Sequence, residues 1–315
     1  MSNSNLTEEQ KQKLAILEPK LREAADSRDF EKAKAISLSI QNVLRPTGHE
    51  TRLMQNKNRL FEVAMESGNL GTAISGFLGV RQKVSRRTRL YLEATALLAI
   101  CYLRKRDLNS ARPYMVEALS CENNIKSESK RSVFKVALAK RFEEEALLAS
   151  LSVGEAEYLD IDKIQEEAGK LIYSKHEDEI LELLGATVPE GALDFVQEVR
   201  DESMGLLTYD EKKKLPSPDY FKERKKLGKG ILSAFQAVIW RSLCDKESEV
   251  YKMWFTDGMK AVLDKKYLTV SIATALAGLN AGVYAIAVYL TALLVKIGLE
   301  TFCNVYKPDN LMGLR

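Results

Sequence analysis

The chain has 315 residues, a formal charge of +3, and 45% hydrophobic against 29% charged residues. That balance belongs to a folded chain and excludes a disordered one. The length allows two domains or one large helical one, and a charge this near neutrality gives no reason to expect nucleic acid as the partner. Seven prolines and 17 glycines are too few to punctuate many short strands, so the expected class is all-α. Met1 to Gln10 is polar and lacks the apolar core of a signal peptide, which leads to an expected cytoplasmic location. Cys101, Cys121, Cys244 and Cys303 form no CxxC pair and read as four buried, reduced thiols.

In chain order, the first elements are three copies of one pattern. Leu21 to Ala24 lead into Arg28, Asp29, Phe30 and Ala33. Leu60 to Ala64 lead into Gly68, Asn69, Leu70 and Ala73. Leu98 to Tyr102 lead into Arg106, Asp107, Leu108 and Ala111. Each copy is an apolar helix, a short polar turn, an Asp or Asn suited to cap the next helix, and a small Ala where the paired helices must approach. Phe77 and Met115, one turn further on, are placed to fill the groove. Asp29 and Asn69 lie 40 residues apart, and Asn69 and Asp107 lie 38 apart.

At these positions the sequence resembles the tetratricopeptide repeat family over about residues 14 to 120. The third copy matches best, with Leu98, Ala99, Tyr102, Ala111, Met115 and Ala118 at the family's spacing. The period exceeds the family's ~34 residues, and the proline that closes a family repeat is missing at the matching places. The resemblance implies an array of helix pairs with Ala33, Ala73, Ala111 and Tyr102 at its packing positions. Such an array would hold a protein or peptide along the face lined by the first helix of each pair.

A further helix is expected from Ser127 to Leu151. From Glu155 to Glu182, ten acidic residues stand against three lysines, while Leu171, Ile172, Ile180, Leu183 and Leu184 keep helical spacing. This reads as a folded acidic surface. Pro216 and Pro218 mark a connector, since both cannot sit inside a helix. The expected domains are therefore a repeat domain at 1–153, an acidic helical middle at 154–210 and a C-terminal helical domain at 211–315. In the last, Phe221 to Cys244 and Ser248 to Asp264 read as helices. Lys222, Arg224, Lys225, Lys226 and Lys229 form either a solvated face or a contact for anionic lipid headgroups.

Tyr267 to Val295 is a run of 29 residues without a charge. As one straight helix it would measure ~43 Å, beyond a ~30 Å bilayer core. Ala273, Ala277, Ala281 and Ala285 recur every four residues, beside Thr274, Gly278 and Gly282. Small residues so arranged let another helix approach closely, in lipid or in a tight core. Three structures remain open: a membrane-spanning helix at about 278–299, a hairpin broken near Gly278 to Gly282, or a buried core helix.

No motif for chemistry stands out. His49 and His176 are far apart, there is no phosphate-binding glycine loop and no nucleophile elbow. Arg81 to Arg89 holds five positive charges in nine residues but no interleaved aromatics, which makes a nucleic-acid reading weak. No catalytic, metal or cofactor residue is assigned. The expected function is a non-enzymatic protein–protein interaction scaffold or adaptor, with self-association left open. The alternative is a membrane-acting effector, toxin-like or anti-phage in architecture, whose array senses or restrains and whose apolar segment inserts, giving membrane association through the C-terminus.

Overall fold

Several helices open on a capping side chain. Thr7 Oγ1 accepts the Gln10 amide at 3.2 Å and the Gln10 side chain accepts the Thr7 amide at 2.9 Å, a reciprocal box that opens α1 (Glu8–Asp26). The computed structural model describes residues 5–151, 159–217, 222–244, 248–264, 266–278 and 284–305, and among them every regular element is helical. They belong to two compact units, Met1–Lys135 and Val136–Arg315.

Unit 1 continues with α2 (Phe30–Leu44), α3 (Glu50–Glu66), α4 (Leu70–Lys83), α5 (Arg89–Arg104) and α6 (Leu108–Leu119), and α7 (Glu128–Leu151) begins in it. From α1 to α6 each helix packs on the next, α1 also packs on α3, and α3 on α5. The result is three helix hairpins stacked in sequence order. Their turns share one backbone construction. The amides of Asp29, Asn69 and Asp107 bond back to the carbonyls of Ala24 (3.0 Å), Ala64 (2.8 Å) and Tyr102 (3.0 Å). Those of Arg28, Gly68 and Arg106 bond to Ala25 (3.1 Å), Met65 (3.2 Å) and Leu103 (2.8 Å). This pair of bonds closes a helix when the residue at its centre is left-handed, and Arg28, Gly68 and Arg106 have φ of 54°, 78° and 56°.

The second helix of each hairpin then starts at the expected residue. The Asp29 carboxylate accepts the Lys32 amide at 2.9 Å and Asp107 accepts Ser110 at 3.0 Å. Asn69 stands at the equivalent place but makes no side-chain cap bond; the Leu70 amide bonds to the Gly68 carbonyl instead (2.8 Å). Ala33, Ala73 and Ala111 are wholly buried, as is Phe77, and Met115 is nearly so. Phe61 meets Phe77 edge-on at 6.1 Å and lies over Gly76, where a Cβ would fall 2.2 Å from its ring. α5 is buried almost all round, as befits a helix apolar on every face.

Unit 2 takes in the rest of α7, then α8 (Ile161–Ser174), α9 (Glu177–Gly185), α10 (Glu190–Gly205), α11 (Tyr209–Lys212), α12 (Arg224–Cys244), α13 (Glu249–Asp264), α14 (Tyr267–Gly278), α15 (Tyr284–Ile297) and α16 (Leu299–Val305). α15 is its centre. It packs on α8, α9, α14 and α16, while α12 packs on α9, α13, α14 and α16. From Ile286 to Leu294 every residue of α15 but Tyr289 is buried. α9 and α12 cross where glycine faces glycine: a Cβ on Gly185 would lie 1.9 Å from the Arg224 carbonyl oxygen, and one on Gly228 would lie 1.9 Å from that of Leu181.

α8 and α9 of the acidic middle supply the helices against which α15 and α12 pack, within the second unit. Of the structures open for the uncharged run, the single helix is not the one formed and the broken one agrees: α14 ends at Gly278 and α15 begins at Tyr284, and among the described residues no single helix is long and apolar enough to cross a membrane. The expectation of four reduced thiols changes. Cys244 and Cys303 are joined as a disulfide, with Cα atoms 5.4 Å apart, and only Cys101 and Cys121 keep buried thiols. Fifty-nine residues separate the joined pair, so no local spacing could show that the end of α12 meets α16. Pro218 and Phe221 lie outside the described residues.

Ala73→Leu and Ala111→Leu should each lower stability by about 1–3 kcal/mol through overpacking. Gly228→Ala should cost no less, because its new carbon meets a backbone carbonyl and not a movable side chain. Thermal melts test all three; unchanged midpoints would mean that the helices do not close at these positions.

Candidate functional site

The hairpins of unit 1 are joined by charged side chains. Arg52 of α3 donates to both carboxylate oxygens of Glu18 on α1, at 2.7 and 2.8 Å, and Asn56 adds a third bond at 3.1 Å. Glu66, at the end of α3, accepts Arg104 from α5 at 2.9 Å and lies 3.6 Å from Arg28. Arg104 also donates to the Met65 carbonyl (3.0 Å), and Ser67 Oγ donates to the Arg28 carbonyl (2.9 Å). The successive hairpin turns are thus tied to one another. A further cluster links α4, α5 and α6. Arg81 pairs with Glu117 and donates to Tyr91 Oη at 2.8 Å, Tyr91 donates to Glu117 at 2.6 Å, and the Arg81 guanidinium lies over the Tyr114 ring. Burial, with the bond to Glu117, raises the Tyr91 phenol above its usual pKa.

On α1 and α3, Arg22 and Gln55 are exposed beside the Glu18–Arg52 pair, whereas α5 is buried almost all round. This departs from the expectation that all three first helices line a groove. Of the nominated packing residues, Tyr102 is half-buried and stacks on Tyr114, ring centres 5.7 Å apart. Along α1 and α3 the surface presents mixed charge and amide groups.

In unit 2 the nominated small-residue ridge does not form on one helix. Ala273 is buried on α14, which also holds Ala277 and ends at Gly278; Ala285 is half-buried on α15; Ala281 and Gly282 lie outside the described residues. Of the nominated basic residues, Lys222, Arg224, Lys226 and Lys229 are exposed and Lys225 is half-buried. Lys225 pairs with Asp178 of α9 at 2.5 Å and Lys226 with Glu223 at 2.6 Å. The basic cluster therefore directs some of its charge to the acidic segment, whose Asp162 likewise pairs with Lys266.

Unit 2 also holds a cleft of about 180 Å³ between α7, α12 and the Leu215–Pro216 segment. Ser233 donates to Glu144 at 2.7 Å, Lys140 lies 3.5 Å from the same carboxylate, and Arg200 donates to Glu143 at 2.5 Å and to the Pro216 carbonyl. Burial pushes the Glu143 carboxyl above the usual range, with Arg200 opposing. The acids here lie against cations, Glu143 against Arg200 and Glu144 against Lys140, and the Ser233 hydroxyl donates to Glu144 as well. Among the described residues no group of three His, Cys, Asp or Glu is placed to hold a metal.

No protein-family model matches the chain, and no curated protein or solved structure matches it. Glu66 and Arg104 stand three residues before Asn69 and Asp107, at equivalent places of the second and third copies, while Arg28 is one residue before Asp29, so the caps and alanines gave no signal of these ties. The Gly185–Gly228 crossing had no signal either, because its two halves belong to unrelated helices.

The Arg52 bonds, aided by Asn56, hold the Glu18 carboxyl below its ordinary value of about 4.5. A depressed carboxyl stabilises the fold above the unfolded value, and that contribution is lost as pH falls through the folded one. Glu18→Gln should cost on the order of 1 kcal/mol near neutrality, with the gap to the parent closing below about pH 4.5. Denaturant titrations across that range read it, and a gap that stays constant into strong acid would contradict the pairing.

Proposed function

We propose that the chain is a non-enzymatic interaction scaffold whose N-terminal unit is a tetratricopeptide-like array. The observation that carries this reading is the repetition of one turn construction at residues 24–29, 64–69 and 102–107, each followed by a wholly buried alanine. Repetition of a packing unit yields an extended surface more readily than a chemical pocket. The side chains left open along α1 and α3 are of a kind that holds peptide by charge and amide bonding. The partner is a protein or peptide, no cofactor is needed, and the working location is the cytoplasm.

A second reading is favoured by one feature. α15 and α16 together have the length and composition of a membrane span, although they meet at 91°. On this reading the chain is a membrane-acting effector and the array restrains or senses. The ion pairs of Lys225 and Lys226 reduce what the basic cluster can offer to lipid headgroups.

Photo-crosslinking separates the faces. A crosslinker at Arg22 or Gln55, both exposed on α1 and α3, should capture one discrete partner. The same group at Lys34 or Thr72, exposed on α2 and α4, should capture far less of it. Equal capture from both faces would sink the scaffold reading as drawn.

A further inference from the structure

The disulfide joins the last residue of α12 to α16, and the loop it closes contains α13, α14 and α15. A second bond runs the same way, from Trp240 Nε1 of α12 to the Cys303 carbonyl at 3.0 Å. Leu299 and Phe302 of α16 are buried in this position. The corner between α15 and α16 is Gly298, with φ of +83°. A left-handed glycine lets the chain turn sharply between two helices, and glycine alone moves from that region to the right-handed helical one without a side-chain penalty. With Gly298 right-handed, the 14-residue α15 and the 7-residue α16 would form one rod of roughly 33 Å, close to a ~30 Å hydrocarbon core.

We propose that the Cys244–Cys303 disulfide is a redox latch that keeps α16 folded back on α12, and that its reduction lets α16 swing about Gly298 into line with α15. The latch and hinge stand on the cystine and on the corner geometry; the use of the straightened rod rests on the membrane-acting reading. The reductant is a dithiol. Cys303 is the half-buried residue of the pair and Cys244 the buried one, which favours attack at Cys303 Sγ. One thiolate of the dithiol bonds to that sulfur, the disulfide bond breaks, and Cys244 leaves as a thiolate that takes up a proton. The second thiol of the reductant then attacks the mixed disulfide and releases Cys303 as a thiol. The protein gains two electrons and two protons, and the reductant ends as its own disulfide. In a reducing cytosol such a bond would close only on oxidation, which would make the fold of α16 a report of the local redox state.

The full chain is purified under air and its thiols are alkylated after unfolding. Two should react, Cys101 and Cys121, rising to four after dithiothreitol. Hydrogen exchange followed by mass spectrometry should show amides of 299–305 exchanging about tenfold faster or more on reduction, with α1 to α6 unchanged as the internal reference. Cys244→Ser with Cys303→Ser should reproduce this without reductant. Gly298→Ala, which penalises the left-handed corner, should enlarge the effect in the reduced protein. Four reactive thiols in the air-purified chain, or exchange at 299–305 indifferent to dithiothreitol, would overturn the latch; the dithiothreitol arm decides even where the double variant does not fold. Flotation with phosphatidylglycerol–phosphatidylcholine vesicles then tests the use of the rod. Reduced protein that floats while oxidised protein does not supports the coupling, whereas faster exchange without flotation retires the membrane-acting reading and leaves the latch standing.

Discussion

Where α9 crosses α12, an added carbon on either Gly185 or Gly228 would fall 1.9 Å from a carbonyl oxygen of the facing helix, so the two backbones lie together only because neither glycine has a side chain. The same constraint recurs through unit 1. Ala33, Ala73 and Ala111 have no exposed surface, and Gly76 accepts the Phe61 ring directly above it. Close approach increases the number of dispersion contacts each helix makes and leaves no space for a larger residue. The hairpins of the array and the helix pair that supports α15 therefore depend on small residues at a few positions, around which the large apolar side chains are fitted.

Charge works on top of that packing. Salt bridges on a surface contribute little singly, but those of unit 1 lie where one hairpin meets the next. Arg28, Glu66 and Arg104 tie three consecutive turns, and Glu18 with Arg52 ties α1 to α3. Their effect is on register: a helix pair displaced along its neighbour would leave partly buried charges without partners, which is more costly than the pairs are stabilising. In unit 2 the acidic stretch meets lysines distant in sequence, at Asp178–Lys225 and Asp162–Lys266. The acidic surface, and part of a basic cluster that could have faced lipid headgroups, are at these pairs matched inside the unit.

The apolar C-terminal run is the place where fold and function come closest. Its second half is the buried centre of unit 2, held between α8, α9, α14 and α16. A helix apolar on every side needs such cover or lipid. The chain supplies cover, and fastens the end of that cover with a covalent bond that closes a loop of 59 residues. Cross-linking a loop of this size restrains the unfolded chain strongly, by ~4 kcal/mol in the chain-entropy account.

By itself, the sequence determined the helical class, the three hairpins and their second-helix starts. Those signals act within a few residues: an Asp at a helix start, an Ala one turn on, a polar break between apolar runs. Even here one detail escaped, since Asn69 occupies the cap position without making the cap bond. The tertiary structure alone decided the rest. It chose the broken form of the uncharged run over a single helix, with α14 ending at Gly278 and α15 beginning at Tyr284, buried α5 almost all round, joined the acidic middle to the C-terminal helices and brought Cys244 to Cys303. Each of these depends on helices far apart in the chain arriving side by side, and local pattern carries no record of which face a distant helix will cover.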